Sequence, residues 1–171
     1  MFNTGKLFST ALLAASFICS SLASAMDDVE TVLAERACQR LALLYSHYID
    51  QGQASKVADL FTEDGVWRYA NQRFEGRAEL RRFFEERETM THRLSRHLIT
   101  NHVVNVLDEN NAVGVLYFVH LQDNTGEDGT RALQGQPRMV GQYEDVYIRT
   151  GGEWRIKSRV ASAQFTMGET E

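Results

Sequence analysis

Gly151-Gly152-Glu153-Trp154-Arg155-Ile156-Lys157-Ser158-Arg159-Val160 is the plainest architectural text in this chain. The glycine pair marks a tight reversal. Behind it Trp154, Ile156, Ser158 and Val160 fall on one side of a strand, and Arg155, Lys157 and Arg159 on the other. This period of two predicts a strand from Trp154 to Phe165 with one face packed and the other wet or covered by a partner.

The same period runs upstream through Leu94 to Leu107, Ala112 to Gln122 and Met139 to Arg149, with Asn110 at a second reversal. Four long strands in sequence make a meander. The polar connection from Asp123 to Pro137 is rich in Gly, Asp and Thr, and is expected to form a flap at one end of the sheet. Before Leu94 the period is helical. Val32, Cys38, Leu41, Ala42, Tyr45, Tyr48 and Ile49 recur at intervals of three and four between Asp27 and Gln51, and Gly52 ends that helix. A short helix is expected from Ser55 as N-cap through Phe61, a turn at Asp64-Gly65, and a strand over Val66 to Tyr69 with Trp67 and Tyr69 on one face. Gly76 opens a third helix, with Leu80, Phe83, Phe84 and Arg87 on one face. Helices followed by a long antiparallel meander predict an α+β domain whose helices cover the concave face of a curved sheet.

Met1 to Ala25 carries Lys6, an apolar core through Leu12, Leu13 and Ile18, and Ala23-Ser24-Ala25. These are the parts of a cleaved secretory signal, and the serines interrupting the apolar run make it too short for the about 20 residues of a membrane span. Export to the periplasm or the medium is the expectation. Cleavage after Ala25 removes 25 of 171 residues and leaves 146, residues 26–171, enough for one domain. That domain carries 17 basic and 23 acidic residues, a net charge of −6, which argues against nucleic acid or an anionic membrane as partner. Of the two cysteines only Cys38 remains, so no internal disulfide is expected. Phosphate-loop, Gly-x-Ser-x-Gly and Cys-x-x-Cys motifs are all missing. No cofactor is expected, and no metal either: the spacing of His92, His97 and His102 puts the outer two on the opposite strand face from His97, with no acidic residue among them.

Leu44-Tyr45 through Tyr48-Ile49-Asp50, Leu60 to Trp67, Phe74-Glu75-Gly76-Arg77, Arg96 to Asn101, Gly141 to Asp145 and Gly152 to Ile156 stand in one order across essentially the whole of residues 26–171. Taken together they resemble the SnoaL-like family of the nuclear transport factor 2-like (NTF2-like) superfamily, which includes scytalone dehydratase and the lindane dehydrochlorinase. The resemblance implies an NTF2-like cone, a strongly curved, mostly antiparallel sheet enclosing a pocket beneath its helices, and a homo-oligomer, dimer or trimer, formed through the outer sheet face. It also implies a lyase of the dehydratase or elimination type, or an isomerase, working without cofactor on a small cyclic or aromatic molecule. The same fold serves non-catalytic binding or assembly modules and structural subunits of ring-hydroxylating oxygenases, so fold alone does not fix activity.

In catalytic members an aspartate ending the first helix bonds a histidine on the central strand, and the resemblance places these roles on Asp50 and His97. The chemistry is coherent, because a carboxylate on one ring nitrogen fixes the tautomer and leaves the other nitrogen to accept a proton. The plainer alternative pairs Asp50 with His47 on the helix surface and makes His97 a satisfied sheet residue. Tyr69 stands where scytalone dehydratase has a tyrosine acting through water on the substrate carbonyl, and His120 is a candidate second proton carrier. Trp67, Phe84 and Tyr143 are candidate walls of a substrate cavity, though aromatics so spaced also make ordinary core, and Asn101 shares His97's alternation and is a candidate ligand contact. Ile49 and Tyr143 replace a tyrosine and an asparagine of scytalone dehydratase, which implies a different substrate.

Overall fold

The computed structural model describes residues 26–124 and 137–167. The signal segment and most of the expected flap lie outside the described residues. Helix α1 spans Asp28–Asp50, and Asp27 caps it by accepting the Glu30 N–H at 2.7 Å. It stops where Gly52 takes φ +68°, a left-handed conformation that costs glycine nothing. A 3-10 helix follows at Ala54–Leu60. Ser55 lies inside it rather than capping it, and its N–H is met instead by Glu88 Oε2 at 2.7 Å. Strand β1 covers Phe61–Tyr69, β2 Gln72–Glu75, α2 Arg77–Glu88, β3 Arg93–Val106, β4 Asn111–Asn124, β5 Pro137–Thr150 and β6 Glu153–Thr166. Asp64-Gly65 is therefore no turn between elements; it sits in β1, where the register against β6 shifts between Phe61 and Val66.

The six strands form one mixed sheet in the order β2-β1-β6-β5-β4-β3, with only β1 and β6 parallel. This is the expected α+β cone, curled but not closed, with α1 packed on β3 and β6. Among the described residues no helix is long and apolar enough to cross a membrane. The buried stripe of α1 runs through Cys38, Leu41, Ala42 and Tyr45, but Val32 is 52% exposed and leaves it. The inner sheet face meets that stripe with Leu116, Tyr147 and Ile156, all fully buried.

Bulges bend the long strands, and each one resets the parity of the residues beyond it. In β6 the pairing moves from Ile156 opposite Tyr147 to Ser158 opposite Val146, so Lys157 is the extra residue. The alternation read from the sequence therefore holds only to that point. Past the bulge Arg159 and Ala161 turn inward, and Arg159, expected on the outer face, is fully buried. A second bulge lies in β3 between Thr100 and Val103, where Asn101 has φ +51°. His97 and Ile99 face inward before it, and His102 and Val104 after it. His102 thus shares the inner side with His97, contrary to expectation, and lies 3.4 Å from the Tyr147 hydroxyl.

Candidate active site

The last residue of α1 faces the first half of β3. There the Asp50 carboxylate uses both oxygens on one residue: Oδ2 accepts the His97 backbone N–H and Oδ1 pairs with His97 Nδ1, each at 2.7 Å. The side chains are 9% and 6% exposed. A carboxylate oxygen on Nδ1 favours the tautomer with the proton there, which in the neutral ring leaves the Nε2 lone pair free to accept. The alternative pairing is not formed, since His47 is exposed and its ring lies 5.9 Å from that of Tyr48.

His97 lines a cavity of about 650 Å³ between the helices and the inner sheet face. That size and its aromatic wall suit a small organic molecule. Trp67, Tyr69, Phe84, His120 and Tyr143 all line this cavity. Asn101 does not; the β3 bulge leaves it exposed at the outer edge, and the expectation that it shares His97's face is corrected. Tyr143 stacks on Phe118 with centroids 4.4 Å apart, and Phe74 on Phe83 at 4.2 Å, so the walls offer flat surfaces. The Tyr69 hydroxyl has, among the described residues, only the weakly accepting Met139 sulfur, at 3.9 Å, so it is free to donate a hydrogen bond to a ligand oxygen.

His120 lies directly opposite His97 in the sheet, with the rings nearly parallel and 4.4 Å apart. Its Nε2 is 3.2 Å from Ser95 Oγ, which is itself 3.5 Å from the Arg87 guanidinium. Arginine only donates, so Ser95 accepts from Arg87, and the direction of the Ser95–His120 bond follows the His120 tautomer. Burial first, then the charge that His97 carries once protonated and those of Arg87 and Arg93, pushes His120 down to about 3 against the opposing pull of Asp50. At neutral pH His120 is an uncharged ring beside that of His97. This has a stability consequence: the unfolded chain protonates His120 below about pH 6.5, whereas the folded chain does so only near pH 3. The contribution is intact above that window and is lost as pH falls through it. Melting temperatures measured from pH 7 to pH 4.5 should therefore fall less for His120→Gln than for the parent; equal slopes would contradict the assignment.

Two features of the site were missed in the sequence. Asp145 and Arg159 form a fully buried, two-pronged ion pair, Nε to Oδ1 at 2.8 Å and Nη2 to Oδ2 at 2.6 Å, and Tyr147 donates to Asp145 Oδ2 at 2.6 Å. The guanidinium lies between two cavity-wall rings, 4.3 Å from Tyr45 and 4.5 Å from Tyr143. Although burial opposes its charge, Asp145 holds Arg159 above the usual arginine range. Burial, with Asp145 adding to it, pushes the Cys38 thiol up to about 12 and leaves it inert. Asp145 was legible, because it shares strand parity with Tyr143 and Tyr147.

The second is Tyr45. Trp67 Nε1–H donates to its hydroxyl oxygen at 2.9 Å, and an indole can only donate. The phenol proton must then point elsewhere. Among the described residues it has no acceptor, and Tyr45 lines the cavity. Nor do the described residues bring three His, Cys, Asp or Glu side chains together as a metal-ligand set.

A six-stranded mixed sheet curled around a cavity beneath its helices is the NTF2-like architecture. The chain belongs to the SnoaL-like domain family, whose model matches residues 30–160. Among solved structures it is similar to a scytalone dehydratase-like protein of Novosphingobium aromaticivorans, with 24% identity, TM-score 0.70, and 84% of this chain and 92% of that one covered. It is also similar to LinA, a hexachlorocyclohexane dehydrochlorinase, with 17% identity, TM-score 0.69, and coverage of 85% and 97%. A protein of unknown function from Mycobacterium tuberculosis is 27% identical, TM-score 0.66, with coverage of 82% and 78%. No curated protein matches the chain by sequence.

Proposed function

We propose that this protein is a lyase of the elimination type, or an isomerase, that acts on a small cyclic or aromatic molecule without a cofactor. The observation that supports it most is the 2.7 Å Asp50–His97 pair, closed from solvent behind His97 and open in front to an aromatic-walled cavity. His97 Nε2 takes a proton from carbon. The C–H electron pair becomes the new double bond as the leaving group departs with its own pair, while Asp50 stabilises the imidazolium. Charge that develops on a substrate oxygen is met by the Tyr45 and Tyr69 hydroxyls. The family contains both a dehydratase and a dehydrochlorinase, which favours elimination.

A panel of cyclic β-hydroxy-carbonyl and aryl compounds, assayed with the purified protein and with Asp50→Asn and His97→Gln, tests this reading. Wild-type turnover in both variants would end it. Tyr45 is tested separately. Tyr45→Phe is expected to lower kcat by about 10²–10³-fold with little change in KM, as loss of one oxyanion donor does. An unchanged kcat would assign the donor role to Tyr69 alone.

We further propose that the protein is exported after cleavage near Ala25 and works as a homo-oligomer. Leu98, Val103, Val115, Tyr117 and Val146 stand 40–68% exposed on the outer face of β3, β4 and β5, an apolar surface that a second copy would cover.

A further inference from the structure

Among the described residues, three arginines on the cavity wall have no carboxylate partner; Arg82 is exposed to solvent, and Arg87 and Arg93 are half-buried. Arg87, from the last turn of α2, donates to the Ser95 hydroxyl, and Arg93, at the start of β3, donates to the Gln122 side-chain oxygen and, at 3.9 Å, to the Met90 sulfur. Arg93 Nε is buried with no acceptor among the described residues. Both residues line the main cavity and also a side pocket of about 220 Å³ that reaches Asp50 and Ser95. The nearby acids are committed elsewhere or exposed. Asp50 is held by His97, Glu88 accepts the Ser55 N–H, Glu79 accepts the Glu75 N–H at 2.8 Å, and Glu86 borders solvent. His120 is neutral at neutral pH and supplies no compensating charge.

Like charges left facing each other in a half-buried wall oppose folding, and the described residues offer them no internal relief. We infer that the ligand of this cavity carries a carboxylate, bound by Arg87 and Arg93 while its cyclic body lies against the aromatic wall. The inference rests on the proposed catalytic reading for the placement of the reacting carbon, and it adds the chemical class of the substrate: a cyclic or aromatic acid. Burial, then the neighbouring charges of Arg87 and Arg138, holds Arg93 down to about 10, so it stays charged at neutral pH while lacking the partner that would relieve it. A planar guanidinium fork is the side chain best matched to a carboxylate. The anchor also positions the ligand near the base, since Ser95 joins Arg87 to His120, whose ring stacks on that of His97.

The test compares 2-naphthoate with 2-naphthamide, two flat ligands that differ in charge at one end, by isothermal titration to the purified protein. The naphthoate is expected to bind roughly 10–100-fold more tightly, the range of one or two charge-assisted hydrogen bonds. Arg87→Gln and Arg93→Gln should each erase most of that preference by weakening the naphthoate far more than the amide. Each should also melt no lower than the parent without ligand, because a mutual repulsion has been removed; a structural role would lower the melt. Equal affinity for the two probes, no binding of the naphthoate, or a preference intact in both variants would overturn the inference. The probe comparison on the unaltered protein does not depend on either variant folding. Turnover that survives Asp50→Asn and His97→Gln would remove the catalytic reading and leave this preference standing, so the two failures are distinguishable.

Discussion

Asp50→Asn is expected to lower turnover by about 10⁴-fold, the loss seen when an orienting carboxylate behind a catalytic histidine becomes an amide. The asparagine can still accept the His97 backbone N–H that Oδ2 now takes at 2.7 Å. Its amide, however, would donate to Nδ1 where Oδ1 now accepts, and would push the ring proton onto Nε2. The base becomes a donor while the fold is kept. His97→Gln removes the proton acceptor itself and should cost roughly 10²–10⁴-fold. Steady-state kinetics on both variants, with circular dichroism to verify folding, decide the matter; a loss below about tenfold in Asp50→Asn would show that tautomer control is not what Asp50 supplies.

Arg159→Leu should cost about 3–5 kcal/mol of stability, because it strands the Asp145 carboxylate in the core with only the Tyr147 hydroxyl as partner. At about 2–4 °C per kcal/mol for a domain of this size, the melting temperature falls by roughly 10 °C. Replacing both members, Asp145→Leu with Arg159→Leu, should recover much of the loss, since an apolar pair of similar volume needs no desolvation of charge. Calorimetric melts of the single and double variants test this. A single variant that melts within about 2 °C of the parent would mean that water reaches Asp145. Because Arg159 lies between the Tyr45 and Tyr143 rings, the double variant should still show impaired turnover even where stability returns.

The sequence carried the element order well because its signals are local. Asp27 and Gly52 bound α1, Gly151-Gly152 turns β5 into β6, and the period of two holds over most of each long strand. It failed where one inserted residue resets parity. Lys157 in β6 and Asn101 in β3 are the two cases, and together they account for Arg159, His102 and Asn101 being assigned to the wrong side. No local composition announces a bulge, since its cause is the curvature that the curled sheet imposes.

The Asp50–His97 pair was legible through family resemblance joined to the chemistry of a carboxylate beside an imidazole. Tyr45 was not, because an aromatic at a buried helical position looks the same whether its hydroxyl serves a cavity or merely fills the core; the Trp67 N–H is what distinguishes them. Arg87 was placed on the apolar face of α2 with Leu80, Phe83 and Phe84, yet a cation on such a face was itself a signal that the face borders a cavity.

The most direct measurement is the ¹⁵N spectrum of the histidine side chains in the purified protein at neutral pH, compared with that of Asp50→Asn. His97 should appear as a single neutral tautomer with the proton on Nδ1, and should change tautomer in the variant. A His97 proton on Nε2 in the parent, or the averaged pattern of a solvent-exposed ring such as His47, would contradict the dyad on which the proposed chemistry stands.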